Sequence, residues 1–243
     1  MDKELKTILV TGCTSGIGKA TCIELLENNF RVIGIGRNEQ KASDMISNYD
    51  KKFKFYCIDL SMIEDLKNFF SKIYNEGYIL HGMVLCAGFE ETLPFSMYKP
   101  SKISSIMSLN VLAQIEMIRL FSRKKISADN SSIVVLSSVM SILGQPGKVG
   151  YCTSKSALLG LVKSVALELS PRKINVNAIS PGVVDTPMTR SLFEKLNEEN
   201  INKIKEMHPL GIGYTKDIVG IISFLLSPKA RWITGQNIVV DGG

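Results

Sequence analysis

Lys6-Thr7-Ile8-Leu9-Val10-Thr11-Gly12-Cys13-Thr14-Ser15-Gly16-Ile17-Gly18 is the stretch on which the fold turns. Lys6–Thr11 reads as a buried strand, and Ile17–Asn28 as a helix with Ile17, Ala20, Ile23 and Leu26 near helical spacing. Between them the glycines permit a tight strand-to-helix turn. Six more strand-like runs follow, at Arg31–Ile35, Lys54–Ile58, Gly82–Cys86, Ser132–Leu136, Ile174–Ile179 and Gln236–Val240. Helical patterns separate them: Ile63, Leu66, Phe70 and Ile73, then Ile103 to Phe121. Another runs from Tyr151 to Leu169 with Leu158, Leu161, Val165 and Leu169 on its apolar face. Continuous apolar strands alternating with amphipathic helices predict an α/β fold whose parallel sheet is covered on both faces. Right-handed crossovers make that sheet doubly wound, with ligands bound at the carboxyl ends of its strands.

A chain of 243 residues with a 45% hydrophobic share suits one α/β domain spanning 1–243. Repeats, low-complexity tracts and Pro/Gly-rich linkers do not interrupt it. The stretch 187–213 is polar and helix-prone without a strand, the composition expected of a lid or substrate loop. No apolar run approaches the ~20 residues a bilayer span requires, so no membrane association is expected. Met1-Asp2-Lys3-Glu4-Leu5-Lys6 is charged and leads straight into the first strand, which predicts no secretory signal and a cytoplasmic protein. Cys13, Cys22, Cys57, Cys86 and Cys152 form no Cys-x-x-Cys pair, and the histidines are only His81 and His208. That excludes a zinc or dithiol site and predicts free thiols, with Cys152 a packing residue. The net charge of +6 is spread along the chain, and clusters such as Arg123-Lys124-Lys125 and Arg172-Lys173 read as solvated faces. A nucleic-acid surface would need a denser patch with interleaved aromatics.

The glycine turn is Gly-x-x-x-Gly-x-Gly, where Gly-x-Gly-x-x-Gly is the commoner dinucleotide pattern. It opens a helix whose first N–H groups and partial positive charge suit a pyrophosphate. The plainer alternative is a tight turn made of small residues. Cofactor choice should be set about 20 residues on, where a carboxylate would bond the ribose of NAD and an Arg would accommodate the 2′-phosphate of NADP. Here Gly36 stands at the acidic position and Arg37-Asn38 follow. NADP(H) is therefore preferred. The alternative makes Arg37 a solvated loop residue and accepts NAD(H) as well. Asp59 is placed to meet the adenine amino group or to cap the next helix.

Tyr151 and Lys155 lie one helical turn apart, so phenol and ammonium share a face. An ammonium that close favours the phenolate and is expected to pull the Tyr pKa below its usual ~10. Such a Tyr exchanges a proton at working pH.

In order and spacing, the glycine turn, Asn110, Ser138 (thirteen residues before Tyr151), Tyr151, Lys155 and Pro181-Gly182 resemble the short-chain dehydrogenase/reductase family across essentially the whole chain. Ser137-Ser138-Val139, Gly144-Gln145-Pro146-Gly147, Ile233-Thr234-Gly235-Gln236 and Asp241-Gly242-Gly243 look most like bacterial 3-oxoacyl-[acyl-carrier-protein] reductases. The resemblance implies a Rossmann-like enzyme that reduces a ketone, or oxidises the matching secondary alcohol, with Tyr151 as general acid or base. Ser138 would hold the substrate oxygen. Lys155 would lower the Tyr pKa and bind the nicotinamide ribose, and Asn110 would shape a helix bend and hold a water. The implied cofactor contacts are Gly12, Thr14, Ser15, Gly16, Ile17 and Gly18, then Arg37, Asn38, Asp59 and Leu60. Cys86, Ala87, Gly88, Tyr151, Lys155, Pro181, Gly182, Val184 and Thr186 complete the set. A 3-oxoacyl thioester is the first-choice substrate, with a carrier-bound form included. The alternatives are a small polyol, sugar or steroid-like alcohol, or a cofactor-binding sensor without chemistry. A homotetramer through the helices around Ser104–Phe121 and Tyr151–Ser170 is the family expectation.

The chain departs from the family in two places. Leu85-Cys86-Ala87-Gly88 stands where Asn-Asn-Ala-Gly is usual, so Cys86 cannot bond as an amide would. Asp129 lies near the place of a basic carrier-docking residue and would oppose an acidic partner, leaving Arg172 as the candidate carrier contact or as a solvated loop charge. Apart from the resemblance, Asn110 reads as a helix-interior residue facing water, and Ser138 as a strand-end hydroxyl satisfying backbone.

Overall fold

The computed structural model describes residues 5–194 and 196–243. The charged lead Met1–Glu4 and Lys195 of the 187–213 stretch lie outside the described residues. Seven strands form one parallel sheet in the order β3-β2-β1-β4-β5-β6-β7. They are β1 Thr7–Thr11, β2 Arg31–Gly36, β3 Phe53–Cys57, β4 Leu80–Leu85, β5 Ser127–Leu136, β6 Asn175–Pro181 and β7 Asn237–Val240. The helices are α1 Gly16–Glu27, α2 Ser43–Asn48, α3 Asp65–Asn75, α4 Pro100–Met107, α5 Ala113–Phe121, α6 Val149–Leu169, α7 Pro187–Phe193, α8 Glu198–Glu206 and α9 Thr215–Leu226.

The two-residue period of a strand explains why whole strands are apolar. Leu9, Ile33, Met83, Ile133 and Val176 join one core with Leu66 and Phe70 of α3, Phe121 of α5 and Leu158 of α6. Their neighbours Ile8, Val32, Val84, Val134 and Ile179 join the other core with Cys22 and Leu25 of α1 and Ile222 of α9. Each fully buried Ile, Leu or Val contributes roughly 1.5–3 kcal/mol, so both faces must be covered. Strand order reverses between β1 and β4, and a crevice opens there at the carboxyl ends.

Two elements differ from the sequence expectation. The helix foreseen from Ile103 to Phe121 starts at Pro100 and is interrupted by a π turn at Ser108–Leu112 that contains Asn110. At 22 residues and mean hydropathy 1.2, Pro100–Phe121 does reach the length and apolarity of a span. Its Ile106, Val111, Met117, Leu120 and Phe121 are buried in the protein instead. Strand β5 starts at Ser127, and its register against β4 jumps from Ser127 to Ser132, so the polar segment between bulges out with Asn130 at φ 59°. A polar bulge carries no alternating pattern to read.

Candidate active site

The crevice at the carboxyl ends is a cleft of about 360 Å³. Its first wall is the glycine turn. Gly12 has φ +66°, and a Cβ there would lie 3.2 Å from the Ala87 backbone, so the turn closes tightly on the end of β4. Ser15 precedes α1 in extended conformation and makes no side-chain cap. The first N–H groups of α1 therefore have no partner within the helix. Gly12, Thr14, Ser15, Gly16, Ile17 and Gly18 all line the cleft. A backbone cradle at a helix N-terminus fits the pyrophosphate of a dinucleotide.

At the end of β2 a Cβ on Gly36 would sit 2.8 Å from Thr14 Cγ2, so an acidic side chain there would collide with the glycine turn. Exposed Arg37 lines the cleft beside Asp59 and Leu60. The Asp59 carboxylate accepts from Ser61 N at 3.0 Å and Ser61 Oγ at 2.8 Å. Those bonds, with Arg37 nearby, hold its pKa below the ordinary value. Asp59 closes a turn before α3 and does not cap the helix itself, and it lines the cleft as the adenine reading requires. Asn38 departs from expectation: its Oδ1 accepts from Lys41 N at 3.2 Å, and it is not among the residues lining the cleft.

Cys86, Ala87 and Gly88 line the cleft beyond β4. Burial pushes the Cys86 thiol up to about 12. Thr11 ties β1 to the end of β4, its Oγ1 accepting from Ala87 N at 3.0 Å. Pro181, Gly182, Val184 and Thr186 close the far side, with Thr186 capping α7. A Cβ on Gly16 would meet Thr186 Cγ2 at 3.4 Å, which brings this segment over the glycine turn.

Ser138, Tyr151 and Lys155 share the same cleft. Ser138 lies two residues beyond β5 in extended conformation, and its Oγ accepts from Met140 N at 3.2 Å, so the backbone-satisfying reading and the cleft-facing one both hold. Lys155 is 4% exposed, donates to Leu136 O at 2.7 Å, and lies 5.7 Å from the centroid of the Tyr151 ring. Burial lowers its pKa to about 8. The expected lowering of the Tyr151 pKa is not what the geometry gives. Burial first, then the Glu90 carboxylate, raise it, and the Ser138 hydroxyl acts the other way. Desolvation of the phenolate itself dominates, and the ammonium 5.7 Å from the ring centroid does not offset it.

Asn110 is fully buried, which excludes the water-facing reading. Its Oδ1 accepts from Phe89 N, and its Nδ2 donates to Phe89 O and to Ser154 Oγ, each at 3.0 Å. It stands one layer behind the cleft and ties the segment after β4 to α6.

Three residues in and around the site carry no motif. Glu90 and Lys148 both line the cleft and form an ion pair at 2.5 Å. His208 joins the end of α8 to the segment after β6: Nε2 accepts from Val183 N at 3.1 Å, while Nδ1 lies 2.7 Å from Ile204 O. Those partners define a neutral ring protonated at Nδ1. The lone histidine and the charges had no local pattern to betray them. Arg172, the candidate carrier contact, is neither free nor solvated. Nε pairs with Asp129 at 2.7 Å, and the guanidinium donates to Ser122 O and Ser127 O. It braces the start of β5, at the opposite end of the strand from the cleft.

A family model described as enoyl-(acyl carrier protein) reductase matches residues 12–243. The 3-oxoacyl-[acyl-carrier-protein] reductase FabG of Rickettsia prowazekii is 35% identical, over 98% of this chain and 96% of that protein. Among solved structures, 4-hydroxyisoleucine dehydrogenase complexed with NADH superposes with a TM-score of 0.91 at 33% identity, covering 98% of both chains. ElxO with NADP bound gives 0.88 at 26% identity, also covering 98% of both. The fold and cleft are those of a nicotinamide-dinucleotide oxidoreductase. The chain belongs to the short-chain dehydrogenase/reductase family.

Proposed function

We propose that this enzyme interconverts a ketone and its secondary alcohol with NADP(H), and that Tyr151 moves the proton. The carrying observation is the convergence of Ser138, Tyr151 and Lys155 in the cleft that the glycine turn opens. When bound, the nicotinamide supplies or accepts the hydride. Ser138 and Tyr151 hydrogen-bond the substrate oxygen, which stabilises charge as it develops there. A phenol held above its ordinary pKa is fully protonated at neutral pH and so stands ready as the acid for reduction. Lys155 lies beneath the ring, where it can turn from Leu136 O toward a ribose hydroxyl. Asn110 holds α6 and the Phe89 segment in register behind it. NADP(H) is favoured over NAD(H) because Arg37 is present and Gly36 leaves no room for a carboxylate.

The chain works as one dinucleotide-binding domain, with 187–213 as its substrate loop; Met188 and Leu192 of α7 already line the cleft. A 3-oxoacyl thioester, free or carrier-bound, is the first substrate class, supported by the similarity to the Rickettsia reductase. A small polar alcohol is the second, favoured by the Glu90–Lys148 pair in the cleft wall and by the likeness to 4-hydroxyisoleucine dehydrogenase. A cytoplasmic homotetramer built on Pro100–Phe121 and α6 completes the proposal, and sedimentation would test the assembly. Steady-state assays across acetoacetyl thioesters, diketones, polyols and hydroxy acids, each with NADPH and NADH, test the reaction. Cofactor binding with no turnover of any of them would replace it with a sensor.

A further inference from the structure

Glu90 and Lys148 bring two charges into the cleft and neither exchanges the hydride or the proton, although the Glu90 carboxylate helps to keep the Tyr151 phenol protonated. Their side chains are 17% and 9% exposed. Two physical costs count against the pair as a stabilising device. A buried ion pair regains its desolvation only in part. Lys148 is also the N-cap residue of α6, where the helix dipole disfavours a cation and a Ser or Asp would serve better.

The surroundings nevertheless hold Glu90 firmly in place. On one side Asn110 brackets both backbone groups of Phe89. On the other, Tyr98 Oη donates to Glu91 O at 2.6 Å, Lys102 pairs with the Glu91 carboxylate at 2.6 Å, and Leu93 N donates to Gly147 O at 2.9 Å. Lys148 is fixed in turn as the entry to α6, one turn before Tyr151.

An oriented ion pair on a cleft wall complements a second ion pair of opposite orientation. A ligand carboxylate meets Lys148, a ligand ammonium meets Glu90, and the four charges sum to zero. A lone anion or lone cation would leave one net charge beside a largely buried ion pair, where uncompensated charge is costly. We propose that Glu90 and Lys148 recognise the ammonium and carboxylate of a zwitterionic amino acid whose side chain carries the reacting hydroxyl or ketone. The proposal rests on the oxidoreductase reading above and keeps its balance: secondary alcohol and oxidised cofactor give ketone, reduced cofactor and one proton.

The test compares kcat/KM for a hydroxy amino acid with that for its N-acetyl methyl ester and with the reduction of an acetoacetyl thioester, on the full chain with NADP(H) or NAD(H). The zwitterion should be preferred over its uncharged analogue by at least tenfold, because a site built for polar groups rejects an analogue lacking them. In Glu90→Gln and in Lys148→Gln that ratio should fall by about tenfold, chiefly through KM. The exchanged pair, Glu90→Lys with Lys148→Glu, keeps an ion pair and should keep the melting temperature without restoring the ratio. A wild-type ratio near one overturns the proposal, as does an exchanged pair that recovers selectivity together with stability. Turnover of uncharged ketones with no preference for the zwitterion sinks this inference and leaves the oxidoreductase standing. Cofactor binding without turnover of any carbonyl or alcohol sinks both.

Discussion

The two walls of the cleft are built in different ways. The wall proposed for the cofactor is backbone: the glycine turn after β1, Ala87-Gly88 after β4 and Pro181-Gly182 after β6, each a short contiguous stretch at a strand end. The wall proposed for the substrate is side chains drawn from distant places, with Glu90 after β4, Ser138 after β5, Lys148 and Tyr151 at the start of α6, and Met188 and Leu192 on α7. A backbone site needs glycines at set intervals and so writes itself locally into the sequence. A side-chain site needs only that the fold bring its members together. The same contrast predicts that changes on the first wall alter cofactor binding and changes on the second alter turnover.

Tyr151→Phe puts the sharpest strain on that contrast. It removes one hydroxyl from the substrate wall, and kcat should fall about 10²–10⁴-fold, the range for a lost general acid. NADPH affinity, read by fluorescence titration, should stay within a few-fold. Near-full activity would remove Tyr151 from the chemistry, and a comparable loss of NADPH affinity would erase the distinction between the walls. Arg37→Ala probes the other side. Losing a charge-assisted contact to a phosphate of about 1.5–3 kcal/mol should weaken NADPH roughly ten- to hundredfold. NADH should bind nearly as before, so equal behaviour toward both cofactors would make Arg37 a loop charge.

How much could be read in advance follows the same division. Strand runs, their parallel order and the glycine turn were legible because burial on both faces leaves each strand continuously apolar. Ser138, Tyr151 and Lys155 were legible through their spacing. Glu90 was not, because a Glu after a strand end looks like any loop acid until Lys148 is seen opposite it. Arg172 was misread because its partners, the carbonyls of Ser122 and Ser127, are about 45–50 positions away in the chain. Asn38 shows the limit of a local signal, since a side chain that caps its own turn looks the same in sequence as one that reaches a ligand.

Asn110 tests whether the second wall depends on what lies behind it. Asn110→Leu is close in size but leaves Phe89 N–H and C=O without their partner and removes the donor to Ser154 Oγ, which keeps its own bond to Tyr151 O. Thermal or urea unfolding should show a loss of about 2 kcal/mol, within the range for stranded buried polar groups. Turnover should fall as well, because the segment carrying Glu90 and the helix carrying Tyr151 lose their common anchor. Unchanged stability would mean that water replaces the amide.

Lys155 belongs to both walls, and its charge state is the finest probe of how they meet. Burial lowers its pKa to about 8 in the fold, against about 10.4 in an unfolded chain. Between those values the unfolded chain holds a proton that the folded one has released. Stability contributed by this group therefore rises with pH through that window and is lowest below it, where the fold must carry the buried ammonium. Tyr151 and Cys86, whose pKa values burial raises, tilt the balance the other way at alkaline pH. The useful quantity is thus a difference: the unfolding free energy of the cofactor-free wild type minus that of Lys155→Met at pH 7.5, 8.5 and 9.5. It should climb with pH, by less than the one-proton limit of about 1.4 kcal/mol per unit. A flat difference would mean that Lys155 keeps its ammonium in the fold, which would restore the expectation that it draws the Tyr151 phenol toward ionisation.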